Sequence, residues 1–116
     1  MPQPLPQPSG PGAEAAAGAV FTALADPTRR HLLTALAANG GATATGLAAE
    51  LPISRQAVAK HLATLGRAGL VSQSRHGRES RFELDPRPLA DAAAWLTTVG
   101  AEWDTRLADL QRHFKG

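Results

Sequence analysis

A mainly α domain of five helices carrying one small β-hairpin is what this sequence predicts, and three observations predict it. Four segments between residues 13 and 67 repeat apolar side chains at spacings of three and four, with cap and breaker residues between them. After Gly69 the pattern changes to a period of two around a glycine turn. Residues 89–114 then carry an apolar seam longer than a small core needs to cover. At 116 residues the chain supplies one domain with one modest core.

Residues 1–12 hold five prolines and two glycines, too little apolar surface to order themselves, so a disordered tail is expected before a domain spanning 13–116. Ala17, Val20, Phe21 and Leu24 share one face of a first helix over 13–25. Asp26-Pro27-Thr28 restarts the chain as a second helix, with Asp as N-cap and Pro where its missing N–H costs nothing. Leu32, Leu33 and Leu36 form its buried stripe, and Asn39-Gly40-Gly41 stops it. Thr43 caps a third helix to Leu51, with Leu47, Ala48 and Leu51 inward, and Pro52 makes a sharp corner. Gly46 weakens that helix by about 1 kcal/mol relative to alanine, so packing must hold it.

Ser54 caps a fourth helix to Arg67. At about 100° per residue, Val58, Leu62 and Leu65 fall on one stripe and Gln56, Lys60, Ala63 and Arg67 opposite. The third and fourth helices across the Leu51-Pro-Ile-Ser54 break make a helix-turn-helix pattern. Residues 70–75 and 80–84 read as two short strands joined through His76-Gly77-Arg78-Glu79, with Val71, Phe82 and Leu84 inward: a wing. In the last helix, Leu96, Gly100, Trp103, Leu107, Leu110 and Phe114 alternate spacings of four and three, a heptad-like seam. It reads as a dimerisation helix packing with the first, which adds Phe21. The alternative is a seam lying only on its own domain.

No cysteine is present, which excludes disulfides, thiolate zinc sites and cysteine nucleophiles. No apolar run approaches the roughly 18 residues that span a bilayer, and the expected protein is soluble and cytoplasmic, without a membrane partner. The four histidines are scattered over separate elements, with no paired carboxylates or Gly-rich phosphate loop beside them, so an enzyme is not expected and no cofactor or metal is assigned. The formal charge of +2 is unevenly spread: residues 54–81 hold six of the twelve Lys and Arg but only one of the ten acids, Glu79. Concentrated positive charge favours a polyanionic partner.

Double-stranded DNA fits that partner, because an α-helix enters the major groove, where base edges carry a distinguishable pattern of donors and acceptors. Gln56 suits adenine or guanine edges, Lys60 suits guanine O6 or N7, and Ala59 and Ala63 let the backbone approach. Ser54, Arg55, His61 and Arg67 sit where phosphate contact is more natural, and Arg75 and Arg78 on the wing reach the minor groove or its phosphates. Each residue alone has a plainer role: Lys60 and Arg67 as a solvated face, Arg75 and Arg78 as edge-strand protection. His61 lies about 60° from the buried stripe, which admits packing as readily as phosphate contact.

Leu24-Ala-Asp-Pro-Thr-Arg29, Leu47-Ala-Ala-Glu-Leu51, Ile53-Ser-Arg-Gln-Ala-Val58, His61-Leu62, Gly69-Leu70-Val71 and Gly77-Arg78 resemble the ArsR/SmtB-type winged helix-turn-helix repressors, in matching order over about residues 21–114. The resemblance implies a homodimeric bacterial transcriptional repressor on a near-palindromic operator, with Ser54, Arg55, Gln56, Ala59, Lys60 and His61 in the DNA-reading positions. Arg29 falls to structure. Many members sense metals through helix-three cysteines or through Asp, His and Glu on the terminal helix. Here Thr43-Ala-Thr-Gly46 offers no thiolate, and Asp109 with His113 reads as a surface ion pair rather than a ligand set. The chain is closer to cysteine-free members that do not respond to metal, and its inducer is unspecified. Pro52 stands where relatives usually have glycine. The competing reading is a winged-helix protein-interaction module whose basic face meets an acidic protein.

Overall fold

The computed structural model describes residues 11–115, with side-chain surroundings for 12–112. Its elements run α1 (Pro11–Leu24), α2 (Pro27–Asn39), β1 (Ala42–Thr43), α3 (Ala44–Glu50), α4 (Arg55–Arg67), β2 (Val71–His76), β3 (Glu79–Leu84) and α5 (Arg87–Lys115). The five helices and the hairpin stand where the sequence placed them. Most of the tail expected over residues 1–12 lies outside the described residues, but Pro11 and Gly12 already belong to α1.

Local chemistry explains the boundaries. The Asp26 carboxylate accepts from the backbone N–H of Thr28 at 2.7 Å and of Arg29 at 3.3 Å, opening α2 on Pro27. Gly40 closes it at φ 65°, in the left-handed region that suits glycine. Thr43 Oγ1 accepts from Gly46 N at 3.0 Å and Ser54 Oγ from Ala57 N at 3.1 Å, so both helices of the helix-turn-helix begin on the caps the sequence marked. α5 starts at Arg87 rather than at residue 89, because the Asp85 carboxylate accepts from Arg87 N at 3.0 Å and organises the turn two residues earlier.

The sheet departs from a lone hairpin. β1 adds a third strand, in the order β1-β3-β2, with Ala42 opposite Phe82 and Thr43 opposite Arg81. Gly41 makes this possible: it is buried at φ 118°, and a Cβ there would stand 3.0 Å from Glu83 Cγ and 3.2 Å from the Phe82 carbonyl. The hairpin is tighter than expected, since His76 pairs directly with Glu79 and leaves Gly77-Arg78 as a two-residue loop. Gly77 supplies the positive φ that such a loop requires.

The core gathers Ala17, Val20 and Ala23 from α1, Leu32, Leu33 and Leu36 from α2, Leu47 from α3, and Val58, Leu62 and Leu65 from α4, closed by Leu70, Val71 and Ala92. Leu51, Phe82, Leu84, Leu89 and Trp95 pack around its edge. Phe21 is the exception to the expected α1 stripe: it stands outside the core, its ring 6.0 Å from that of Trp95. Only the first part of α5 lies on this core. Leu96, Trp103, Leu107 and Leu110 are 51–53% exposed, so the seam is not spent on its own domain. Arg106 lies over the Trp103 ring, 5.3 Å from its centre. A Cβ at Gly100 would meet nothing within 4 Å, so the approach it permits is not used inside the chain. The side chain of Phe114 is outside the described residues.

Candidate nucleic-acid interface

Two helices and the hairpin converge on one concave surface. The N-terminal turns of α4 and α3 form one wall and the hairpin forms the other, enclosing a cleft of about 870 Å³. Arg55, Gln56 and Ala59 enter it from α4, and Arg75 and Arg78 from the hairpin. Five side chains chosen from separate parts of the sequence therefore share one site. They meet because α4 buries Val58, Leu62 and Leu65 against the core, which turns Gln56 and Ala59 outward, while the β2–β3 register places Arg75, and the two-residue loop that it closes places Arg78, beside them.

Ser54, Lys60 and Arg67 lie outside the cleft but are exposed on α4 or at its start. Arg67 donates from Nη2 to Thr64 Oγ1 at 3.1 Å, which leans it back along its own helix. His61 differs from the rest of the set. It is half-buried, and its Nδ1 stands 3.5 Å from Arg29 Nη1, so its ring faces the α1–α2 corner. The packing role that the helical angle allowed for His61 therefore has a contact within the chain.

The electrostatics favour an anionic partner. Among the described residues, Arg55, Lys60, Arg75 and Arg78 enter no ion pair; the pairs present are Arg29 with Asp26, Arg87 with Asp85, and Arg112 with Asp109. Glu79 is the lone carboxylate on the cleft. Asp109 pairs with Arg112 one turn away; the expected pairing with His113 lies outside the described residues, as the His113 side chain does. No group of three His, Asp or Glu side chains among the described residues is placed to hold a metal ion.

A family model described as a helix-turn-helix domain matches residues 24–73, the run from the end of α1 through the cleft wall. The chain is 39% identical over 92 residues to the HTH-type transcriptional regulator CmtR of Mycobacterium tuberculosis, covering 79% of this chain and 77% of that one. It is 35% identical over 77 residues to the transcriptional repressor SdpR of Bacillus subtilis, covering 66% and 84%. The solved structure of an ArsR-like transcriptional regulator from Rhodococcus sp. RHA1 superposes with a TM-score of 0.80 at 44% identity, covering 87% of this chain and 94% of that one. The chain belongs to the ArsR family of transcriptional regulators. Its winged helix-turn-helix is accordingly a DNA-binding fold, and the cleft between α4 and the wing lies on its basic face.

The structure of this ArsR-family protein adds cleft residues that the helical arithmetic missed. Thr45, Gly46, Gln73 and Ser80 line the same cleft. Thr45 and Gly46 come from the first turn of α3, and Gln73 and Ser80 from the strands. Uncharged and short of any motif, they carry no signal until the α3–wing juxtaposition is known.

Proposed function

We propose that the protein is a homodimeric transcriptional repressor that reads a near-palindromic operator in double-stranded DNA, with half-sites about one helical turn apart. α4 lies in the major groove, where Gln56 and Lys60 meet base edges and Ala59 admits the backbone. Ser54, Arg55 and Arg67 hold phosphates, and Arg75 and Arg78 follow the adjacent minor groove. The second copy joins through α1 and α5, covering Phe21, Leu96, Gly100, Trp103, Leu107, Leu110 and Phe114. It acts in the cytoplasm and needs no cofactor to bind.

The observation that carries this reading is the gathering of Arg55, Gln56, Ala59, Arg75 and Arg78 on one cleft, with its cations unpaired among the described residues. Random-duplex selection with the purified full chain, at stated salt, tests it. The expected result is enrichment of a two-fold symmetric site, with affinity falling steeply as salt rises because phosphate contacts release counterions. Recovery of no preferred sequence would overturn it in favour of a protein partner for the basic face.

A further inference from the structure

The corner between α1 and α2 holds a cation that the cleft does not use. The Arg29 side chain is only 17% exposed. Its Nε donates to the Ala23 carbonyl at 2.6 Å and its Nη2 to the Thr22 carbonyl at 3.2 Å, closing the end of α1. Its Nη1 stands 3.8 Å from Asp26 Oδ2, at the cap of α2, and 3.5 Å from His61 Nδ1, in the middle of α4. One guanidinium touches three elements.

Three features give this contact a direction. A guanidinium only donates, so a hydrogen bond here uses His61 Nδ1 as the acceptor, and the planar fork restricts the approach. Among the described residues, no other side-chain hydrogen bond joins α4 to another element; the rest of its attachment is the apolar stripe of Val58, Leu62 and Leu65. The hydrophobic driving force is non-directional, whereas this contact ties one donor to one acceptor and adds an orientation of its own. Finally, α1 carries Phe21 against Trp95 of α5, so the far side of the Arg29 link is the helix pair with the open apolar face.

We infer that Arg29 and His61 form a positioning pair that sets the angle between the reading helix and the dimerising helices, and through it the half-site spacing that the protein accepts. The inference rests on the homodimeric repressor reading. His61 then acts through Arg29 rather than on a phosphate. Small angles matter here: α4 is about 20 Å long at 1.5 Å per residue, so a tilt of about 10° moves its end by about 3.5 Å, close to the rise of one base pair.

The test uses the full chain and duplexes bearing two copies of the selected half-site, separated in one-base-pair steps, at several salt concentrations. Wild type is expected to favour one spacing over its neighbours by about tenfold, the equivalent of one mismatched base pair. His61→Leu, which leaves the Arg29 cap on α1 intact, should flatten that preference to about threefold or less with the salt slope unchanged. Arg29→Lys keeps the charge but loses the fork and should do the same, and the double variant should be no flatter than either single one. His61→Gln, whose carbonyl oxygen accepts from the guanidinium, should restore the preference. An unaltered preference in His61→Leu overturns the inference, as does a salt slope reduced by about one with the preference intact, which puts His61 on a phosphate. Additive effects of the two single variants also overturn it. A wild-type protein indifferent to spacing overturns the repressor reading itself, and this inference with it.

Discussion

The two halves of the molecule treat their apolar side chains in opposite ways. In the half made by α2, α3, α4 and the hairpin, Leu32, Leu36, Leu47, Val58, Leu62 and Leu65 are buried, and solvent meets Ser54, Arg55, Gln56 and Lys60. Along α5, Leu96, Trp103, Leu107 and Leu110 remain half exposed although the helix is as amphipathic as α4. The difference is whether the apolar face has a partner within its own chain. α4 spends that face on the core, which leaves its polar face to solvent; α5, about 43 Å long at 1.5 Å per residue, outruns the core and leaves its apolar face open.

Removing the open apolar face is the change expected to do most. Each half-exposed side chain has about half of the ~1.5–3 kcal/mol of full burial still to gain. In the proposed symmetric pair, Trp103→Ala with Leu107→Ala deletes four such side chains, which should weaken dimerisation by about 3–6 kcal/mol, or about 100- to 20,000-fold. Sedimentation equilibrium should show monomers at concentrations where wild type is paired, and operator affinity should fall with dimerisation. The thermal midpoint of the monomer should hardly move, because neither residue belongs to the core. A variant that stays dimeric would show that α5 pairs through another face.

This contrast also separates what was legible in the sequence from what was not. The core stripe of α4, its Ser54 cap, the Asp26-Pro27 restart and the Gly77 turn were readable because each depends on residues within one turn or one hairpin. β1 was not, since Ala42 and Thr43 become a strand only by meeting Phe82 and Arg81, about forty residues away. Phe21 carried helical spacing that fitted the core, yet its ring sits outside on Trp95, because Ala17, Val20 and Ala23 fill the inner face first. His61 was ambiguous at 60° from the buried stripe, and the contact it makes within the chain comes from Arg29, thirty-two positions earlier. Patterns within an element were legible; contacts between elements needed the fold.

A smaller effect sharpens the recognition half of the contrast by dividing it in two. Gln56→Ala or Lys60→Ala, on the exposed face of α4, should cost about 1–3 kcal/mol of discrimination between operator and altered sites, with little change on unrelated DNA. Arg78→Ala, at the hairpin tip, should instead weaken binding to every duplex alike and lower the salt slope by about one. Gel-shift titrations at two or more salt concentrations distinguish them. If Lys60→Ala left preference untouched, the face of α4 turned to the bases would be a different one.

The smallest effect lies where the two halves join, at the entry to α5. Asp85 accepts from Arg87 through both carboxylate oxygens, at 3.0 and 2.7 Å, and its own N–H donates to the Leu70 carbonyl at 2.8 Å. The Arg87 side chain, then its backbone N–H, hold the Asp85 carboxyl down at about 2, against a smaller opposing push from burial. An aspartate in an unfolded chain titrates near about 3.9. A carboxyl lowered on folding stabilises the fold above that unfolded value, and the contribution is lost as pH falls from about 4 towards about 2. Asp85→Asn should therefore lower the thermal midpoint slightly at pH 6 and bring it level with wild type near pH 2. The effect is small because the Arg87 side chain is 85% exposed and water screens the pair. Equal acid-limb slopes in the two proteins would mean that this joint is held by the Leu70 carbonyl and the packing of Leu89 alone, with the charge idle.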